Sequence, residues 1–478
     1  MKKKILLALL ITFSFQLMAS ELVITNFSFS GSPRDTVTPK LTAYFTVTWN
    51  NAWKNDKNND AVWIFFKVRH QNETRNHRAA MVKLAGHKMI YNFQRNGIEP
   101  VFYVPPHRAG VLISLSAKYR GSVSWRLKIE LDAQVRGIDY ANIVFGDVFG
   151  VEMVQVPQGS FYIGESDTLI QNRESAFFDL TTKGRILVNS EKSISVGSEK
   201  GSIYYNNKNV PEFRGDRMGP VPDSFPKGFH SFYVMKYELS QGNYVSFLNT
   251  LGNQSSFFRS NLGGKEYYKG RGGIKRVDGM YLEGVYMTDY PERPANYISW
   301  DDGCAFADWA GLRPMTELEF EKAARGPANV LPGDYPWGNS SSELVSRYYD
   351  REGNLVFEKG IAEKDLSDSN LEMYGASYFW VMDLGGSLWE RVVTIGSNKG
   401  RSFKGTHGDG FVDQFGNATN ADWPTEVEGG LGYRGGGYYD FGMAFGPSHT
   451  SVATRPYGSW GDGPRSVAYG FRACLSVQ

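Results

Sequence analysis

Cysteine is nearly missing from this chain, with two in 478 residues. That excludes a disulfide framework, so a packed core has to supply the stability. An excess of charge of one sign is missing as well. Fifty-two Lys and Arg stand against 50 Asp and Glu, a formal net charge of +2. Nothing in such a balance points to nucleic acid or an anionic membrane as a partner. Internal repeats and low-complexity tracts are absent. Long apolar runs are scarce, and the one at Ile5 to Leu17 falls short of the roughly 20 residues a membrane-spanning helix needs. Lys2-Lys3-Lys4 precedes it and Met18-Ala19-Ser20 follows. This is the pattern of a secretory signal peptide over residues 1–20, cleaved after Ala19 or Ser20, and it predicts export to the periplasm, the outer cell surface or the medium. No cysteine follows the run, which argues against a lipid anchor.

What is present is glycine and aromatic side chains. The 53 glycines and 14% aromatic content point to a loop-rich, aromatic-packed fold rather than a helical one. The length leaves room for two or three domains. Residues 21–148 read as β-structure. Leu22 to Phe29 and Leu41 to Trp49 alternate apolar and polar residues, as do Val111 to Tyr119 and Val123 to Leu131. Ala61 to Val68 is almost continuously apolar, as in a strand buried on both faces. Short strands at this spacing predict a β-sandwich of immunoglobulin-like size. His70, His77, His87 and His107 lie here without the spacing of metal ligands on one element, and are expected at the surface or at strand ends.

Residues 165–230 are polar and rich in Gly and Lys, and read as an ordered insertion with disorder as the alternative. Ser240 then caps a helix whose inner face carries Tyr244, Phe247, Leu248 and Leu251, closed by Gly252. The chain is organised around Pro291 to Gly326. A helix starts after Ser299 with Asp301 and Asp302 in its first turn, places Ala305, Phe306 and Trp309 on one face, and stops at Gly311. A second starts at Thr316, with Glu319 completing a capping box, and ends at Gly326-Pro327.

That stretch, with Leu312-Arg313-Pro314-Met315-Thr316-Glu317 at its corner, resembles the signature of the formylglycine-generating enzyme (sulfatase-modifying factor) family. Further pieces match in the family's order: Glu152 to Gly164, Phe232 to Leu248, Tyr335 to Asn339, Met382 to Glu390, Tyr433 to Tyr438 and Tyr469 to Arg472. The resemblance implies an α+β chain in which a C-type-lectin-like domain, rich in ordered loops, occupies residues 149–478 behind the sandwich. It does not by itself imply the chemistry. In catalytic members two cysteines after the Arg-Gly-Gly motif bind copper, because thiolate is the soft ligand that selects Cu(I). Here Asp440 stands at the first position and Phe445 to Pro447 at the second, and no cysteine occurs between Cys304 and Cys474. Copper and the family's oxidase activity are therefore not expected.

Two function classes remain. One is a non-catalytic binding or envelope-assembly module holding a protein or glycan ligand, with Tyr438, Tyr439, Asp440, His449, Tyr457 and Trp460 as its candidate contacts. The other is a metal-dependent oxidoreductase with altered ligands, for which His449, Asp440, Met443 and Asp462 are near one another in sequence. The family's structural calcium is implied at Gly386 to Glu390, with Ser387 and Glu390 as ligands, or else Glu390 bonds to loop amides. Arg313, Glu317 and Arg472 are expected to satisfy buried backbone rather than to act chemically. Lectin-like folds also imply a bridge between Cys304 and Cys474, with two buried thiols as the alternative.

Overall fold

In the computed structural model the described residues are 22–31, 41–70, 72–73, 75–132, 143–166, 176–205, 215–260, 271–279, 282–327, 333–358, 360–362, 365–426, 429–438, 447–458 and 465–477. The signal-peptide expectation lies outside them. What is described is mostly sheet with few helices, an α+β arrangement. Strands β1 (Val23–Gly31), β2 (Leu41–Lys54), β3 (Asp60–His70), β4 (Arg78–Ala80), β5 (Lys88–Asn92), β6 (Pro100–Tyr103), β7 (Gly110–Leu115), β8 (Tyr119–Leu131) and β9 (Ile143–Val156) come first. One sheet runs in the order β1-β2-β8-β5. The other has eight strands and contains β9, β3, β7 and β6, with β4 paired to β3. The alternation foreseen in β2 and β8 sends Phe45, Val47, Trp49, Trp125 and Leu127 against Val62, Ile64, Phe66 and Ile113, so the two sheets bury one apolar cluster between them.

The second sheet does not end there. Along β9, Val154 pairs with Asp60 of β3 on one side and with Val234 of the strand Phe232–Met235 on the other. The sheet continues through Ala473–Ser476 to Arg313–Pro314. Position 148, where a boundary between two domains was expected, therefore falls inside one strand of a sheet built from both segments. The apolar run in β3 now has its reason. Val62, Ile64 and Phe66 face the first sheet, while Trp63 and Phe65 face the helices of the later segment. Trp63 Nε1 donates to Ala310 O at 2.7 Å, and the Phe65 ring meets Trp309 edge-on at 4.9 Å. Lys67 Nζ, fully buried, donates to Trp309 O at 2.6 Å and Gly410 O at 2.7 Å.

The helices are α1 (Gln241–Thr250), α2 (Asn253–Ser260), α3 (Trp300–Ala310) and α4 (Glu317–Arg325), with short turns besides. Their starts follow the expected chemistry. Ser299 and Thr316 both form capping boxes, with Asp302 and Glu319 reaching back. Gly311 ends α3 in the left-handed region at φ 70°. Two details differ from expectation. Helix α1 ends because Leu251 is extended, and past Gly252 the chain turns helical again in α2. In the insertion, the described parts carry the short strands Ile186–Val188, Ile194–Val196 and Gly219–Val221, and its ordered reading holds for them.

Candidate functional site

A three-stranded sheet carries the candidate site. Trp389–Val393 pairs antiparallel with Leu431–Arg434 and parallel with Tyr469–Gly470, which sets Arg391 opposite Tyr433 and Trp389 opposite Tyr469. Trp389 and Tyr433 are buried, and Tyr438, Tyr457 and Tyr469 pack half-buried around them. The Trp389 ring lies 5.1 Å from Tyr457 and 5.6 Å from His449, centroid to centroid. Tyr433 and Tyr469 meet at 4.6 Å. Guanidinium groups cover the rings, with Arg391 4.7 Å above Tyr433 and Arg271 4.6 Å above Tyr438. Burial pushes the Tyr433, Tyr438 and Tyr469 phenols up, so all three stay protonated hydrogen-bond donors at neutral pH. Of the six candidate contacts the structure thus gathers Tyr438, His449 and Tyr457. Tyr439, Asp440 and Trp460 lie outside the described residues, as do Met443 and Asp462.

The arginines and glutamates of the signature face inward. Arg472 spreads its guanidinium over Glu390 Oε1 (2.7 Å) and the carbonyls of Met235, Lys236 and Met382. Arg313 forks onto both oxygens of Glu319 at 2.6 and 2.9 Å. Glu317 accepts from Thr394 Oγ1, Ile395 N and Arg455. These are scaffold contacts, since each satisfies loop backbone or a buried counter-charge.

The turn at Gly386 to Glu390 is held by residues far away in sequence. Ser387 sits at φ 60°. Its carbonyl accepts from Arg271 Nη1 at 2.9 Å, and its hydroxyl donates to Glu238 Oε2 at 2.6 Å. Leu388 N donates to the other Glu238 oxygen at 2.9 Å. Burial, together with the nearby Glu390 and Asp383, pushes the Glu238 carboxyl well up. Burial raises Glu390 too, against the pull of Arg472. Sequence reasoning missed Arg271 and Glu238. Glu238 lay within a matched motif, whereas Arg271 had no local signal at all.

The profile of the Sulfatase-modifying factor enzyme 1-like domain matches residues 149–474. The chain belongs to this family. Among curated proteins, the formylglycine-generating enzyme of Thermomonospora curvata is 32% identical over 111 residues, 22% of this chain and 35% of that protein. The inactive C-alpha-formylglycine-generating enzyme 2 of Mus musculus is 30% identical over 160 residues, 30% of this chain and 48% of that protein. Hercynine oxygenase of Mycolicibacterium thermoresistibile is 36% identical over 66 residues, 13% of this chain and 15% of that protein. The chain thus matches less than half the length of each.

Family membership raises two metals, and the residues present decide how each fits. Copper needs thiolates, and the sulfatase-modifying factor domain here has Cys304 in the cluster around Trp309 and Cys474 in a separate one around Phe320. Both are free and buried, and burial pushes both thiols well up, away from the thiolate form. The bridge between them is therefore not formed. Positions 440, 445 and 446 lie outside the described residues, but Asp and aromatic or small side chains there supply no soft ligand. Calcium needs six to eight oxygens. Ser387 O accepts from Arg271 and Glu390 Oε1 from Arg472, while the buried Glu390 Oε2 has no hydrogen-bond partner among the described residues. Among the described residues no group of three or more His, Cys, Asp or Glu side chains is placed to hold a metal.

Proposed function

We propose that this member of the sulfatase-modifying factor family is an exported, non-catalytic binding or envelope-assembly protein. In this reading an immunoglobulin-like sandwich is fused to a C-type-lectin-like domain, and the ligand is a protein or a glycan. The observation that carries it is the missing cysteine pair, with none between Cys304 and Cys474. A near-linear Cu(I) site has no replacement among Asp, Phe and Pro side chains. The likeness to a relative named inactive supports the same direction. The Tyr438–His449–Tyr457 surface, aromatic and flanked by guanidinium groups, suits contact rather than proton transfer.

The likeness to hercynine oxygenase favours a second reading, an oxidoreductase with a different metal set. One experiment separates the two. Purified protein loaded with Cu(I), or with Fe(II), is given oxygen and a cysteine-containing sulfatase peptide, and metal content is measured beside aldehyde formation. No aldehyde and no stoichiometric metal is the expected result. Turnover that disappears on chelation overturns the binding reading.

A further inference from the structure

A concave site lies away from the aromatic cluster, where the N-terminal strands join the family domain. It is an open groove of about 920 Å³, at the upper end of the roughly 300–1,000 Å³ typical of ligand pockets. Its floor is the eight-stranded sheet, with Tyr103 of β6 and Leu112 of β7 at one end and Tyr233 and Val477 at the other. Gln155 and Gln158 supply amides along it.

Three features select a ligand class. First, the floor strands β7, β9, Phe232–Met235 and Ala473–Ser476 are hydrogen-bonded to neighbours on both sides. An extended peptide therefore finds a free edge only on the end strands, the four-residue β6 and the two-residue Arg313–Pro314, too short to supply much of the main-chain bonding on which sheet recognition draws. Second, the charges are spent or balanced. Arg313 is tied to Glu319 and Ser476, and both Glu191 oxygens accept backbone N–H groups from Lys227 and His230. At the exposed rim Asp223 and Lys404 oppose each other. No net field favours an ionic ligand. Third, the remaining groups are amides and hydroxyls, which donate and accept alike, beside the half-buried Tyr103 ring.

We infer that this groove binds a neutral oligosaccharide, with one sugar face on Tyr103 and ring hydroxyls on Gln155 and Gln158. The inference shares only the general binding reading above and is independent of whether copper chemistry is present. Saturation-transfer NMR and calorimetry on the full chain, with cellotetraose, maltotetraose, chitotetraose and mannotetraose as probes, test it. At least one is expected to bind, and Tyr103→Ala and Gln158→Ala are each expected to weaken it about tenfold, equivalent to roughly 1.4 kcal/mol. Both side chains are partly or fully exposed, so the variants remain folded, which thermal melting checks. Phe93→Ala, exposed and outside the groove, is expected to leave binding unchanged. Silence with every neutral probe overturns the inference, as does binding insensitive to Tyr103→Ala or abolished by Phe93→Ala. None of these outcomes decides the formylglycine assay, so the two readings fail separately.

Discussion

The cluster between the two N-terminal sheets and the interior around α4 are both dry, yet they are built from opposite materials. Between the sheets the buried side chains are largely apolar, from Leu41 to Leu131, with Asp60 at one end accepting from Trp49 Nε1 and Trp53 N. Around α4 the buried set includes Arg313, Glu317, Glu319, Glu321, Arg434 and Arg455. The difference follows from the backbone each has to cover. Long paired strands satisfy their own N–H and C=O groups, so their faces are free to be hydrocarbon. Loops do not, and a guanidinium with five donors serves several carbonyls from one position. Arg472 does so for Met235, Lys236 and Met382 while Glu390 cancels its charge. Buried charge in the loop-rich part thus does the work that ladder hydrogen bonds do in the sheets.

The strongest way to break this comparison is Arg472→Ala. It strands a buried carboxylate, which costs about 3–5 kcal/mol, and frees backbone carbonyls at about 1–3 kcal/mol each. A loss above about 5 kcal/mol is expected, enough to unfold a protein of ordinary stability. Denaturant melts that show less than about 2 kcal/mol would put the stability of the loops elsewhere. Trp309→Ala comes next, at about 3–5 kcal/mol. Trp309 touches Phe65 and Phe149 as well as Phe247, so it ties the helices to the outer face of the shared sheet. Both parts are expected to melt together, at a lower temperature, in one transition. An N-terminal part that melts separately at the wild-type temperature would show that the shared sheet is not cooperative.

The smallest effect is a change of slope. Burial lowers Lys67 from its ordinary 10.5 to about 7, although Asp308 and Asp409 pull the other way. Between those values the unfolded chain holds a proton that the folded protein does not, so stability from this group rises from pH 7 to 10.5 and is lost as pH falls through 7. Asp308, raised by burial to about 6, works oppositely, and its contribution falls as pH climbs through 4 to 6. Lys67→Met is expected to flatten the alkaline rise alone. Stability measured from pH 6 to 10 with an unchanged slope would contradict it.

Much that is local was settled by the sequence itself. Ser299 with Asp302 and Thr316 with Glu319 are hydrogen-bonded within one turn, so spacing alone placed both helix starts. Period-two alternation places β2 and β8, and the missing cysteine pair bears on the chemistry through residue type alone. At the candidate site Tyr438, His449 and Tyr457 were nameable because they crowd one short stretch of chain. What only the tertiary structure decided involves partners remote in sequence. Arg271 meets Ser387 across 116 positions, and β9 lies between β3 and Phe232–Met235. The same sheet carries β9 through residue 148 and creates the groove beside Tyr103. Periodicity and caps act over a few residues, whereas strand order and buried ion pairs depend on which distant surfaces exclude water from each other, and no local pattern carries that information.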